Sequence, residues 1–163
     1  MSLDTTLNRL EFALLIGLAA FLPALEAPKN ICMGLYLIVW AINRLRSGNW
    51  GGTWSRWDSL IGALIASGYL AAWFAGLPGR PLTAGNDILA YGLVFMTLRR
   101  SSFSPREVWW VLGALVTSTI ITLGYGYWGY LVTKQRQTLG LHSVGHVNHS
   151  AIYMAIAFGI AFT

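Results

Sequence analysis

The chain has 163 residues, 55% of them hydrophobic and only 10% charged, with eleven Lys+Arg against six Asp+Glu and a formal net charge of +5. A soluble domain carries about 25% charged residues to face water, so a water-facing globule that must also hide eight Trp, seven Tyr and seven Phe is excluded. Nucleic-acid binding is excluded too, because the basic residues punctuate apolar stretches instead of forming a run on a polar face.

A helix crossing ~30 Å of hydrocarbon needs ~20 apolar residues. In chain order the apolar stretches predict spans at 7–25, 30–43, 59–77, 83–98, 108–132 and 149–163. The first two flank a turn at Pro23…Pro28, and the second is short. A signal peptide competes for the first span. Asp4 and Glu11 spoil its basic leader, and Leu25–Glu26–Ala27 is a poor cleavage site. Cys32 stands alone inside an apolar run, so a disulfide or a cysteine metal site within this chain is excluded.

The third span carries the small-residue pairs Gly62/Ala66, Gly68/Ala72 and Ala72/Gly76, a spacing that lets helix backbones approach closely. The sixth span is still apolar at Thr163. The expected fold is therefore an all-α integral membrane protein. It is a polytopic helical bundle with about six transmembrane helices in one domain over 1–163, the last helix incomplete and the chain the front part of a longer one.

Basic residues set the expected orientation. With a cytoplasmic amino terminus, Arg9, Arg44, Arg46, Arg56, Arg99, Arg100 and Arg106 fall on the cytoplasmic side. Lys29, Arg80, Lys134 and Arg136 fall on the other. Trp40, Trp57, Trp109 and Trp110 would sit near the cytoplasmic interface, with Trp73 and Trp128 near the outer one. The loop from Thr133 to Asn148 then faces outward.

That loop is the most informative segment, because all three histidines, His142, His146 and His149, fall within or just after it. Ionisable groups at a helix mouth are costly to desolvate and meet a cavity, a partner or a ligand. Three readings are open. The histidine spacings of four and three could place imidazoles on one helical face for a metal, but Gly140 and Gly145 interrupt a helix and no acidic side chain is near. The segment could equally be a polar interface cap, with Lys134 and Arg136 reaching toward lipid head groups. Or it binds an anionic lipid. Arg136, Lys134 and Arg80 would then converge on a diphosphate, with Asn148 and the positive end of the following helix helping to hold it.

Arg136, followed by Gly145 and Asn148 and a helix opening Ala151-Ile-Tyr-Met-Ala, resembles the start of the shared core of the O-antigen ligase and polymerase family. The Gly145-His-Val-Asn-His-Ser150 run is more similar to the ligases of lipopolysaccharide biosynthesis than to the polymerases. Motif similarity covers only the last part of the chain; the rest is similar in layout. The family has a large periplasmic loop holding its catalytic His and further Arg residues. Nothing in this sequence matches that loop, so no catalytic residue is expected among these histidines.

The resemblance implies an inverting, metal-independent glycosyltransferase of the bacterial inner membrane, without cofactor and with a periplasmic active site. Its donor would be an undecaprenyl-diphosphate-linked glycan, its acceptor lipid A–core, and its surroundings membrane lipids. Arg136, Lys134 and Arg80 would bind the donor diphosphate, while Gly145, His146, Asn148 and His149 shape the site. An O-antigen polymerase of the same family is the nearest alternative. A transporter, resting on Asp87 or Asp58 as ionisable residues at span ends, or a structural membrane subunit, are the others.

Overall fold

The computed structural model describes residues 3–76, 79–133 and 154–160, with side chains from residue 6 onward and without that of Arg80. Among these residues every regular element is helical. The helices are α1 (Leu3–Phe21), α2 (Glu26–Ser47), α3 (Arg56–Phe74), α4 (Arg80–Arg100) and α5 (Pro105–Tyr127). A π-helical turn, Trp128–Val132, continues α5, and 154–160 is helical.

Local chemistry explains where the helices stop and start. Pro23, fully buried, follows the end of α1, where its missing N–H and ring block another helical turn. The expected turn at Pro23…Pro28 is shorter than its two prolines suggest. α2 already begins at Glu26, so Pro28 lies in its first turn, where a helix needs no N–H from it. Ser55 and Ser104 cap α3 and α5 with capping boxes, their hydroxyls accepting from Asp58 N and Glu107 N while each carboxylate takes the Ser N–H. Gly79, at φ 131, leads into α4, a backbone conformation that favours glycine.

The chain forms two compact units, 1–36 with 103–163, and 37–102. In the first, α1 and α5 run parallel. Phe12 meets Phe103 with ring centroids 6.2 Å apart, and further along both helices the Ser118 hydroxyl donates to the Ala20 carbonyl. Leu15, Leu18 and Ala19 are buried. A Cβ on Gly17 would stand 3.2 Å from Cys32 Sγ.

In the second unit, α3 and α4 form an antiparallel hairpin. Its close approach is made by glycines. A Cβ on Gly68 would lie 2.9 Å from Ile88 Cδ1, and one on Gly92 2.9 Å from Ile65 Cδ1. The small-residue expectation is thus met at Gly68. At Gly62 it is not, since a Cβ there would meet nothing within 4 Å. Gly76 lies past the end of α3 at φ 81 and serves the turn. Gly85 and Gly92, on the partner helix, supply the rest of the contact. Tyr69 Oη donates to Asn86 Oδ1 at 2.7 Å toward the turn end of the hairpin.

Among the described residues one helix, Pro105–Val132, is long and apolar enough to cross a membrane, not the six expected. Its 28 residues reach roughly 42 Å at ~1.5 Å each, more than the ~30 Å of hydrocarbon. The other helices bring charged or capping residues into their ends, as with Arg56 and Asp58 in α3 and Arg99 and Arg100 in α4. Within the described structure, 11% of the apolar window of this helix is buried.

Candidate functional site

Of the residues that the sequence singles out, Lys134, Arg136, Gly145, His146, Asn148 and His149 lie outside the described residues, as does His142. Arg80 is the first residue of α4, and its backbone alone is described. The last described residue before Lys134 is Thr133. The π-helical turn closes with Thr133 N donating to Trp128 O at 3.2 Å and Thr133 Oγ1 to Gly129 O at 3.1 Å, one residue before Lys134.

The described polar cluster is elsewhere, at the end of the second unit where α3 begins and α4 stops. Asp58 is its centre, with 2% of its side chain exposed. One carboxylate oxygen accepts from Ser55 N at 2.7 Å and Ser55 Oγ at 2.8 Å. The same oxygen pairs with Arg100 at 3.3 Å, and the other with Arg99 at 3.6 Å. Arg99 also donates to Ser55 Oγ at 3.1 Å. The Ser55 hydroxyl, then its backbone N–H, and Arg100 to a smaller degree, hold Asp58 down to about 2 against the opposing push of burial. Asp58 is thus a fixed anion just ahead of the apolar part of α3, shared by two guanidinium groups.

Tryptophans and a glycine loop complete the cluster. The Arg100 guanidinium lies 5.8 Å from the Trp54 ring, whose Nε1 donates to Ser59 Oγ at 2.9 Å. Gly51, at φ 73, sits against the Arg100 backbone, where a Cβ would come 2.1 Å from the carbonyl oxygen. Ser101 Oγ accepts from Trp40 Nε1 at 3.1 Å and Arg44 at 3.4 Å, and donates to Thr97 O at 2.9 Å. Trp40 and Trp50 meet edge to face at 6.0 Å. The last turn of α2, the loop from 48 to 55 and the adjoining ends of α3 and α4 are tied into one cationic end.

The sequence marks Asp58 only as a residue at a span end. The readable signal was Ser55-x-x-Asp58, a capping-box spacing, together with the Arg99–Arg100 doublet. Asp87, the other residue behind the transporter alternative, is exposed and lines an open apolar groove of about 470 Å³ with Trp57, Ile61, Leu64, Tyr91 and Phe95. Among the described residues no group of three His, Cys, Asp or Glu side chains could hold a metal ion. No family model, curated protein or solved structure matches the chain.

Proposed function

We propose that the chain belongs to a multi-pass inner-membrane glycosyltransferase, an O-antigen ligase that transfers a polysaccharide from undecaprenyl diphosphate to lipid A–core. One observation carries the reading. The single described helix with membrane-crossing length and apolarity, Pro105–Val132, begins just after Arg99 and Arg100 and ends two residues before Lys134. A helix that crosses the bilayer separates its two ends. Under this reading the dense arginines face the cytoplasm, and Lys134 and Arg136 face the periplasm, where the lipid-linked donor is presented.

The packing supports alternating crossings. α3 and α4 are antiparallel, as consecutive spans must be, and α1 and α5 are parallel, as the first and fifth spans must be. The apolar side chains turned outward, such as Leu60, Leu70, Phe74, Ile120 and Ile121, suit lipid better than water. The motif of Arg136, Gly145 and Asn148 ahead of Ala151-Ile-Tyr-Met-Ala supplies the family part of the proposal.

The chemistry follows from charge. Arg136, aided by Lys134 and Arg80, neutralises the charge that develops on the departing diphosphate, and a planar guanidinium suits its oxygens. Gly145, His146, Asn148 and His149 shape the pocket beside it. A general base for the acceptor hydroxyl belongs to the family's periplasmic loop. The test is Arg136→Ala in the full-length protein. Transfer to lipid A–core is expected to fall about a hundredfold or more, the loss typical of removing one electrostatic donor, with membrane insertion unchanged. Unchanged transfer would refute the diphosphate role. Longer lipid-linked glycan in place of glycan on lipid A–core would identify a polymerase.

A further inference from the structure

We infer that the Arg- and Trp-rich end of the second unit is a docking surface for the anionic phospholipid headgroups of the leaflet it meets, an inference that rests on the membrane reading above. Five arginines belong to this end: Arg99 and Arg100 pair with Asp58, Arg44 donates to Ser101 Oγ, Arg46 lies in the last turn of α2 and Arg56 opens α3. Asp58 is paired with Arg99 and Arg100, which leaves Arg46 and Arg56 without a carboxylate of their own among the described residues. Arg46, in the last turn of α2, and Arg56, the first residue of α3, are exposed and have no protein partner among the described residues.

The tryptophans identify the kind of partner. Trp50, Trp54 and Trp57 leave 45%, 65% and 59% of their surface exposed around the arginines. Leu60 and Leu64, with 60% and 57% exposed, continue outward along α3 from Trp57. A partner for this surface must offer phosphate-like charge at the arginines, an interfacial layer at the indoles and hydrocarbon at the leucines. A leaflet of anionic phospholipid presents these in that order. Free phosphate would match only the first. The 48–55 loop is held in place by Gly51 against Arg100 and by the Asn49 Oδ1 that accepts from Gly51 N at 2.9 Å, so the surface is built before lipid arrives.

The test reconstitutes the full-length protein into phosphatidylcholine bilayers containing a minor share of brominated phosphatidylglycerol or brominated phosphatidylcholine, and reads quenching of tryptophan fluorescence. The anionic lipid is expected to associate preferentially, and Arg46→Gln and Arg56→Gln each to cut that preference about fivefold, the effect of one basic residue near a charged leaflet. High salt should reduce the preference, and added inorganic phosphate should not displace the lipid. Equal quenching by both lipids in the wild-type protein, or a preference untouched in both variants, would overturn the inference and leave the membrane reading standing. Displacement by inorganic phosphate would reassign the surface to free phosphate. Quenching by brominated phosphatidylcholine serves as the insertion control for each variant. Its absence in the wild-type protein would defeat the membrane reading, and this inference with it.

Discussion

The two packed helix pairs are held by different means. α3 and α4, adjacent in sequence and antiparallel, approach through Gly68, Gly85 and Gly92 and are pinned at one end by Asp58 between Arg99 and Arg100. α1 and α5, far apart in sequence and parallel, meet through Phe12 with Phe103 and through one hydroxyl-to-carbonyl bond from Ser118 to Ala20. Beside that second contact lies an open groove of about 560 Å³ lined largely by small residues, among them Ala20, Ala24, Gly113, Ala114 and Ser118. The hairpin lines an open groove of its own, about 470 Å³, but it is closed by glycine contacts and charge together. Stability should therefore be concentrated in the hairpin, and substitutions should reveal that asymmetry.

The largest effect is expected at Asp58. Asp58→Ala removes the acceptor of Ser55, Arg99 and Arg100 together, and should lower the unfolding temperature in detergent more than any single change in the α1–α5 pair. The same group sets a pH limit. Its carboxyl is held at about 2 against an ordinary 3.8, so its contribution is complete above that ordinary value and is lost as pH falls toward 2. Thermal unfolding of wild-type and Asp58→Asn proteins should converge over that interval and differ at neutral pH.

Next in size is Gly92→Leu, which drives a side chain into Ile65 and should cost about 1–3 kcal/mol by overpacking. Ser118→Ala, on the other pair, should cost about 0.6 kcal/mol, typical of one interhelical hydrogen bond in a membrane protein. Smallest is Gly62→Ala, where a new Cβ meets nothing and the change should stay within about 0.5 kcal/mol. Chemical unfolding in mixed micelles would rank all three. A Ser118→Ala cost exceeding that of Gly92→Leu would reverse the comparison between the pairs.

The helices were legible in the sequence, but their ends were not. Hydropathy predicts α2 over 30–43 and α4 over 83–98, whereas the helices extend over Glu26–Ser47 and Arg80–Arg100. The physical reason is that apolar length measures what suits hydrocarbon, and a helix continues past it as long as caps and terminal charges satisfy its backbone. α3 is displaced instead of lengthened, starting at Arg56 because Ser55 caps it and stopping at Phe74 ahead of Gly76. The small-residue pattern could not say which residues face the neighbour, since Gly62 and Gly68 have the same composition and different surroundings. The Asp58 cluster was hidden for a related reason. Its members come from three stretches of chain, and only the capping-box spacing from Ser55 to Asp58 is local. The segment from Lys134 to His149 rests on sequence alone.

The central claim is that the helix from Pro105 to Val132 puts the Arg99–Arg100 end and the Lys134–Arg136 end on opposite faces of the membrane. Single cysteines at Ser102 and Gln137, each in a Cys32→Ser background of the full-length protein, can be probed in intact cells with a maleimide that enters the periplasm but does not cross the inner membrane. The account predicts labelling of Ser102→Cys only after the inner membrane is opened, and labelling of Gln137→Cys without that step. Both positions reacting from the same side, or Gln137→Cys reacting only from the cytosol, would contradict it.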